Sequence, residues 1–157
     1  PENELSKKAG VEINPQTNGA IVDSHLMTNI KGVFACGNVL HVHDLVDYVT
    51  EEAKRAGDFV YKYITGNLNT KQFKVKPGSN IRYIVPNKFN LTNNKFYLRS
   101  MVVKESGMLE IKIDNQIVKK ITKKHIQPSE MITFTLTEND LKNVIINENS
   151  SLTVSIL

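Results

Sequence analysis

The stretch between Thr28 and Asn38 constrains this chain more than any other, because it combines turn formers, a short apolar run and a glycine at fixed spacing. Thr28 and Gly32 precede the apolar run Val33–Cys36. Gly37 follows that run. The pattern predicts a turn and then a buried strand of four residues. A glycine at the carboxyl end of a strand lets another molecule approach the backbone closely, and ligands of open α/β sheets bind at that edge. We therefore expect a ligand to bind beside Gly37.

This stretch resembles the second FAD-contacting motif of the flavin-dependent pyridine nucleotide-disulphide oxidoreductases, T-x-x-x-G-[IV]-[FYW]-A-x-G-D. The matching positions are Thr28, Gly32, Val33, Phe34, Ala35 and Gly37. Asn38 differs, because the family usually has an Asp whose side chain accepts a hydrogen bond from a ribityl hydroxyl of FAD. Asn keeps an acceptor oxygen and adds an NH₂ donor. Residues 39–47 resemble a sub-branch of NAD(P)/FAD-dependent oxidoreductases near the sarcosine oxidase alpha-like proteins, which often carry Asn here. The alternative is a plain buried strand that ends in a glycine turn.

The resemblance covers residues 1–67 and implies a truncated carboxyl-terminal piece of a Rossmann-like FAD-binding domain. In the family, hydride passes from NAD(P)H through FAD to an acceptor, which the sequence does not identify here. The resemblance also implies which residues bind the cofactor: Gly37, Asn38, Val49, Thr50 and Glu51. The last three would act through their backbone N–H groups, at the amino end of a helix that points at the flavin pyrimidine ring.

That helix is predicted to begin at Thr50, a hydroxyl cap followed by two acidic residues in the positive first turn. Apolar residues recur at spacings of three and four as far as Ile64, and Gly66 is predicted to end the helix. A start with Asp44 as the N-cap is the alternative, and it would move these assignments by about a turn.

His41 and His43 flank Val42, so both side chains point the same way in an extended segment. They could be loop histidines with local backbone partners, or they could lie near the flavin, where His43 is our cofactor-binding candidate and a neighbouring Asp could orient one ring. An H-x-H pair could also bind a metal ion. No third convincing ligand is evident, so the sequence predicts no metal site.

The first residues predict a short helix over 3–9, with Asn3 as its N-cap and Gly10 as its C′ residue. Residues 11–13 and 20–22 predict two strands of a hairpin, joined by a segment dense in turn formers.

The remaining residues, 68–157, read as a separate all-β domain of immunoglobulin-like sandwich size, so the fold class is α+β. No long helical period appears there, and Glu138–Leu141 is predicted as one helical turn. Asp114-Asn115 is predicted as a hairpin turn. The predicted strands are Ile81–Val85, Phe96–Val103, Met108–Ile113, Gln116–Ile121, Met131–Leu136 and Leu152–Ile156.

The charge differs between these two halves. Residues 1–67 carry six Lys/Arg and nine Asp/Glu, a net charge of −3, whereas residues 68–157 carry fourteen and seven, a net charge of +7. The densest basic cluster is Lys119-Lys120 with Lys123-Lys124. The basic half could dock a partner subunit or an acidic electron carrier without any catalytic role. It could also simply be well solvated. Nucleic acid is not the expected partner, since no aromatic pattern accompanies the lysines.

The eight glycines include no G-x-G-x-x-G, so a pyrophosphate-binding turn is expected outside this chain. The chain begins with Pro1, which predicts a fragment or processed product that is inactive alone and binds FAD weakly, with the missing amino-terminal part as its partner. Its uncovered apolar surface would favour homodimers. A single cysteine, no signal peptide and no apolar run of ~18 residues favour the cytoplasm over a membrane. A structural adaptor with an accidental motif match is the third hypothesis.

Overall fold

The computed structural model describes residues 1–157, which form two compact units, Pro1–Thr70 and Lys71–Leu157. The fold is mixed α+β, with three short or medium α-helices, one 3-10 helix and eight strands. The boundary predicted after residue 67 lies three residues before the observed one. None of the helices combines the length and the apolar character that a membrane span requires.

The first unit begins with helix α1 (Glu4–Lys8), as predicted. Asn3 occupies the N-cap position, but its side chain makes no capping hydrogen bond. Its Nδ2 instead donates to the carbonyl oxygens of Asn18 and Val39, both at 2.8 Å. Gly10 ends the helix with φ +82°, the conformation that favours glycine at C′. The buried Asn3 side chain therefore joins the first turn of the chain to two later loops.

The hairpin predicted over residues 11–22 is reduced to one isolated bridge, Ile13–Ala20. The predicted buried strand Val33–Cys36 is wrong: this segment contains only one bridge, between Met27 and Phe34, and Val33 is 40% exposed. The other three residues of the segment are half-buried. A strand becomes buried only when neighbouring strands and layers cover it, and no sheet of this unit does so.

Helix α2 spans Val46–Ile64 with Leu45 at the N-cap position, so the predicted cap at Thr50 is wrong by five residues. The alternative start near Asp44 is closer, although Leu45 in extended conformation occupies the N-cap position. The helix ends as predicted, because Gly66 has φ +72° and its N–H donates to the Tyr63 carbonyl. A second bond, from the N–H of Asn67 to the carbonyl of residue 62, completes a Schellman motif.

All six predicted strands of the second unit are present, and helix α3 (Glu138–Leu141) confirms the predicted helical turn. The hairpin turn at Asp114-Asn115 joins two paired strands and is also confirmed. The strands are β1 (Phe73–Pro77), β2 (Ile81–Val85), β3 (Lys88–Phe89), β4 (Asn94–Ser100), β5 (Lys104–Ile113), β6 (Gln116–Ile126), β7 (Met131–Leu136) and β8 (Ser151–Ile156). The sequence did not predict β1 and β3, because β1 carries two lysines and ends at a proline while β3 has only two residues.

These strands form a five-stranded sheet of order β3-β1-β8-β5-β6 and a three-stranded sheet of order β2-β4-β7. Strands β1 and β8 pair in parallel, whereas the other pairs are antiparallel. Inward-facing residues of both sheets share one hydrophobic core. The predicted period-two runs supply much of it: Leu109, Ile111 and Ile113 on β5, and Ile132, Phe134 and Leu136 on β7. Burial of these alternating side chains is the main term that stabilises this unit.

Two lysines of the predicted basic cluster connect the edges of the two sheets. The Nζ of Lys119 donates to the Thr135 carbonyl at 3.2 Å, and that of Lys123 donates to the Thr133 carbonyl at 3.1 Å. Both lysines lie on edge strand β6, and both carbonyls lie on edge strand β7. Since open edges invite pairing with other chains, these lysines protect an edge of their own unit.

Candidate functional site

The motif begins with a turn held by Thr28, as the sequence predicts. The backbone N–H of Thr28 donates to the Val33 carbonyl at 2.8 Å. Its hydroxyl oxygen accepts from the N–H of Ile30 at 3.1 Å. Gly32, inside this turn, has φ +82°. The Thr and the Gly of the motif therefore have structural roles, since one closes the turn and the other adopts its left-handed conformation.

Gly37 opens a 3-10 helix (Gly37–Val39) and has φ +71°, the left-handed conformation that other residues avoid. It is buried, and a Cβ atom at this position would lie 3.4 Å from Cγ1 of Val49. The next residue, Asn38, is exposed. Its Oδ1 accepts a hydrogen bond from the backbone N–H of His43 at 3.1 Å. The second lone pair of that oxygen and the two N–H bonds of the amide are available to a ligand.

Glu52 of helix α2 organises this loop. Its Oε2 accepts a hydrogen bond from the N–H of Gly37 at 2.6 Å and contacts Nε2 of His43 at 3.1 Å. Its Oε1 contacts Nε2 of His41, also at 3.1 Å. None of the three side chains is exposed to solvent. One buried carboxylate thus holds the glycine turn and both histidines against the helix.

The protonation of this cluster follows from its contacts. Burial alone would raise the pKa of Glu52, but the hydrogen bonds from His41, His43 and the Gly37 N–H lower that pKa to about 2. An ionised carboxylate only accepts hydrogen bonds, so in the absence of a cation both Nε2 atoms carry protons and donate them. The two rings lie with their centroids 4.2 Å apart. The cluster is a carboxylate bound by three donors, a stable arrangement for a buried charge.

Cys36 precedes this turn and is half-buried. Burial and the nearby charge of Glu52 both raise the pKa of the Cys36 thiol. Since the thiolate is the reactive form, this cysteine is poorly suited to nucleophilic or redox chemistry. His25 lies elsewhere in the unit, where burial lowers its pKa more than Asp23 raises it.

The structure brings together three of the six predicted site residues. The other three do not lie where the role predicted for them requires. Gly37, Asn38 and His43 belong to one loop, joined by the contacts described above. The prediction that Val49, Thr50 and Glu51 form the amino end of a helix is wrong, because α2 begins at Val46 and their N–H groups lie beyond its first residues. The Thr50 hydroxyl donates to the Val46 carbonyl at 3.1 Å instead of capping the helix.

The sequence does not predict the role of Glu52, because a helix capped by Thr50 places it in the first turn beside Glu51. In a helix that begins at Val46, Glu52 lies in the second turn and on the same face as Ala56, the other buried residue of α2. Ala56 belongs to the predicted apolar face of the helix, and an acidic residue four positions before it, on the same face, is the signal that could have identified Glu52.

Comparisons of the chain with protein-family models, with curated proteins and with solved structures give no match. The site itself is therefore the basis for a functional proposal. Its residues offer two kinds of binding chemistry: the exposed amide of Asn38 beside a glycine turn, and the nitrogen and oxygen atoms of His41, His43 and Glu52. The Asn38 amide suits a polar ligand. The histidine and glutamate atoms suit a metal ion.

Proposed function

We propose that residues 1–70 supply the carboxyl-terminal part of the flavin site of a FAD-dependent NAD(P)H oxidoreductase. The observation that carries this proposal is the pairing of a left-handed, buried Gly37 with an exposed Asn38 amide. The left-handed Gly37 makes a turn that other residues avoid, and the exposed side chain of Asn38 follows directly after it. The amide of this side chain can exchange hydrogen bonds with a ribityl hydroxyl. In this proposal, the exposed amide of Asn38 is the polar group that the turn presents to the cofactor.

The apolar surface around this turn also supports the proposal. Large hydrophobic side chains are exposed on both sides of it in sequence: Val33 by 40%, Val39 by 37%, Val42 by 50%, Leu45 by 52% and Val46 by 80%. Such a concentration of exposed aliphatic residues is typical of a surface that another body covers. In the proposed enzyme, the covering body is the remainder of a Rossmann-like FAD domain, which carries the pyrophosphate-binding glycines and the NAD(P)H site.

Within this site the chain's own residues bind and orient the cofactor. Asn38 contacts the ribityl chain, and Glu52 fixes the turn by holding the Gly37 N–H at 2.6 Å. In this proposal, negative charge that develops on the reduced flavin ring faces the N–H groups at the start of α2. These groups belong to the residues from Val46 and not to Val49–Glu51. Bound FAD supplies the hydride chemistry, and the protein supplies orientation and electrostatics.

The second unit is proposed to be an immunoglobulin-like sandwich, which the core shared by its two sheets supports. A role in docking a partner subunit or an acidic carrier, a homodimer and a cytoplasmic location remain proposals. The basic cluster gives the docking role little support, since Lys119 and Lys123 bond within the unit.

The test is the flavin absorption of the protein encoded by the complete open reading frame, purified and then supplied with excess FAD. We expect a yellow protein with one FAD per chain. Asn38→Ala should weaken FAD binding by more than about tenfold, because it removes one or two hydrogen bonds to the cofactor. Asn38→Asp, which keeps the acceptor oxygen, should retain FAD.

Asn139→Ala is the matched control, because Asn139 is an exposed asparagine of the second unit. A complete protein that stays colourless with added FAD would overturn the proposal. Equal FAD affinity in Asn38→Ala and Asn139→Ala would remove Asn38 from the site.

A further inference from the structure

The cluster of His41, His43 and Glu52 has the spacing of a metal site. Each Nε2 atom lies 3.1 Å from a different carboxylate oxygen. Candidate ligand atoms from all three residues lie within 4.8 Å of one another. In a tetrahedral zinc site with bonds of ~2.0–2.2 Å, neighbouring ligand atoms are about 3.3–3.6 Å apart. The two histidine–carboxylate separations are therefore close to those that a shared cation requires.

The sequence offered an H-x-H pair without a third ligand, and the fold supplies that ligand from another element. His41 and His43 lie on the loop after the 3-10 helix, while Glu52 lies in the second turn of α2. All three side chains have no solvent exposure. A cation at their centre would link loop and helix in the way that structural metal ions link short segments.

The ligands are held in place by a surrounding shell of hydrogen bonds. The Gly37 N–H donates to Oε2 of Glu52 at 2.6 Å, which orients the carboxylate. The backbone N–H of His43 donates to Asn38 Oδ1, and that of His41 donates to the Gly37 carbonyl at 3.2 Å. Such outer contacts fix ligand orientation in metal proteins. Little reorganisation is then needed when an ion replaces the two Nε2 protons.

The donor set selects the metal. Two imidazole nitrogens and one carboxylate suit zinc and similar transition metals, whereas Ca²⁺ and Mg²⁺ prefer oxygen ligands alone. Bidentate binding by Glu52 would give four donor atoms in a distorted arrangement, because two of the donors belong to one carboxylate, and full burial leaves no route for a substrate. We propose that His41, His43 and Glu52 form a structural Zn²⁺ site that ties the Gly37–His43 loop to helix α2. This site does not depend on the flavin proposal, since its ligands all belong to this chain.

The experiment uses the complete chain, stripped with a chelator and titrated with Co²⁺, whose visible absorption intensifies when protein ligands replace water in a low-coordinate site. We expect one equivalent of Co²⁺, displaced by one equivalent of Zn²⁺, and a higher unfolding temperature in the presence of Zn²⁺. Glu52→Gln should weaken binding by more than about tenfold, since even outer-shell changes have that effect. Glu51→Gln makes the same chemical change one residue earlier and should leave binding unchanged.

His43→Gln provides a second ligand variant, and circular dichroism of each variant reports whether it folds. Cys36→Ser should leave the Co²⁺ spectrum unchanged, because the thiol is not among the proposed ligands. A wild-type chain that takes up no Co²⁺ or Zn²⁺ overturns the proposal, and so does binding that is lost in Cys36→Ser. Equal affinity in Glu51→Gln and Glu52→Gln would also overturn it.

Discussion

The backbone N–H of Gly37 and Oε2 of Glu52 lie 2.6 Å apart, so a side chain of helix α2 sets the position of the glycine turn. The same carboxylate contacts His41 and His43 through its two oxygens. A single fully buried charge thus fixes three points of the preceding loop. Both the flavin proposal and the zinc proposal depend on this loop keeping its conformation.

Glu52→Gln is expected to destabilise the first unit by about 3 kcal/mol, because an amide cannot accept three hydrogen bonds from buried donors as a carboxylate does. The measurement is urea unfolding in the presence of a chelator, followed by circular dichroism of α2. Asp58→Asn makes the same carboxylate-to-amide change at an exposed position of α2 and should change the free energy of unfolding by less than about 0.5 kcal/mol. Similar losses in the two variants would show that the buried network contributes little stability.

The part of the site predictable from sequence is the part set by local conformation. A turn at Thr28 and a glycine turn at Gly37 follow from residue type and spacing, and the structure contains both. Local pattern did not decide between helix starts at Asp44 and Thr50, because Thr50 is a good capping residue, although its hydroxyl bonds within the helix instead. The burial of Glu52 depends on its tertiary contacts with Gly37 and the two histidines, which local patterns do not reveal.

In the second unit, strands with apolar residues at alternate positions were predictable and strands without them were not. Burial dictates the pattern of β5 and β7, whose inward side chains fill the core. Strand β1 has only Phe73 fully buried, and β3 has only Phe89. Their pairing depends on partners distant in sequence, such as β8 for β1, which local patterns do not reveal.

Gly19→Ala is expected to destabilise the first unit by about 3 kcal/mol, the upper end for overpacking. A Cβ atom at Gly19 would lie 1.6 Å from the carbonyl oxygen of the buried Leu40, so the backbone would have to move. Gly57→Ala is the matched control, because a Cβ there meets nothing within 4 Å. In the middle of α2, alanine should stabilise the chain by about 0.5–1 kcal/mol. Urea unfolding of both variants measures the contrast, and effects of the same sign would contradict this account of Gly19.

Lys123→Met is expected to increase aggregation, because it removes the ammonium group that donates to the Thr133 carbonyl on edge strand β7. The loss of that bond should also cost about 1 kcal/mol of unfolding free energy. Lys124→Met removes the same charge from the exposed neighbour and serves as the control. Light scattering during incubation at constant temperature compares the two variants. If net charge alone governs solubility, both variants will aggregate at the same rate.

Asp140 should stabilise the second unit at neutral pH, and this contribution should be lost in acid. Some burial opposes its ionisation, but hydrogen bonds from Lys119 and from the backbone and hydroxyl of Thr137 lower the pKa of Asp140. A folded-state pKa below the unfolded value of about 3.9 means that the carboxylate stabilises the fold above that pH. This contribution is lost as pH falls through the unfolded and then the folded pKa. Because the group is partly exposed, its contribution is less than about 1 kcal/mol.

Asp140→Asn keeps an acceptor oxygen for Thr137 but removes the charge paired with Lys119 at 2.8 Å. We therefore expect the variant to be slightly less stable than the wild type near neutral pH, with the difference shrinking as pH falls below the unfolded pKa of about 3.9 towards the lowered folded-state pKa. Urea unfolding at neutral pH and at a series of acidic pH values measures this difference. In a Lys119→Met background the charge effect at neutral pH should also shrink, because the ion pair is already absent. If the difference in unfolding free energy between Asp140→Asn and the wild type stays constant with pH and in the Lys119→Met background, Asp140 acts only through its capping box with Thr137.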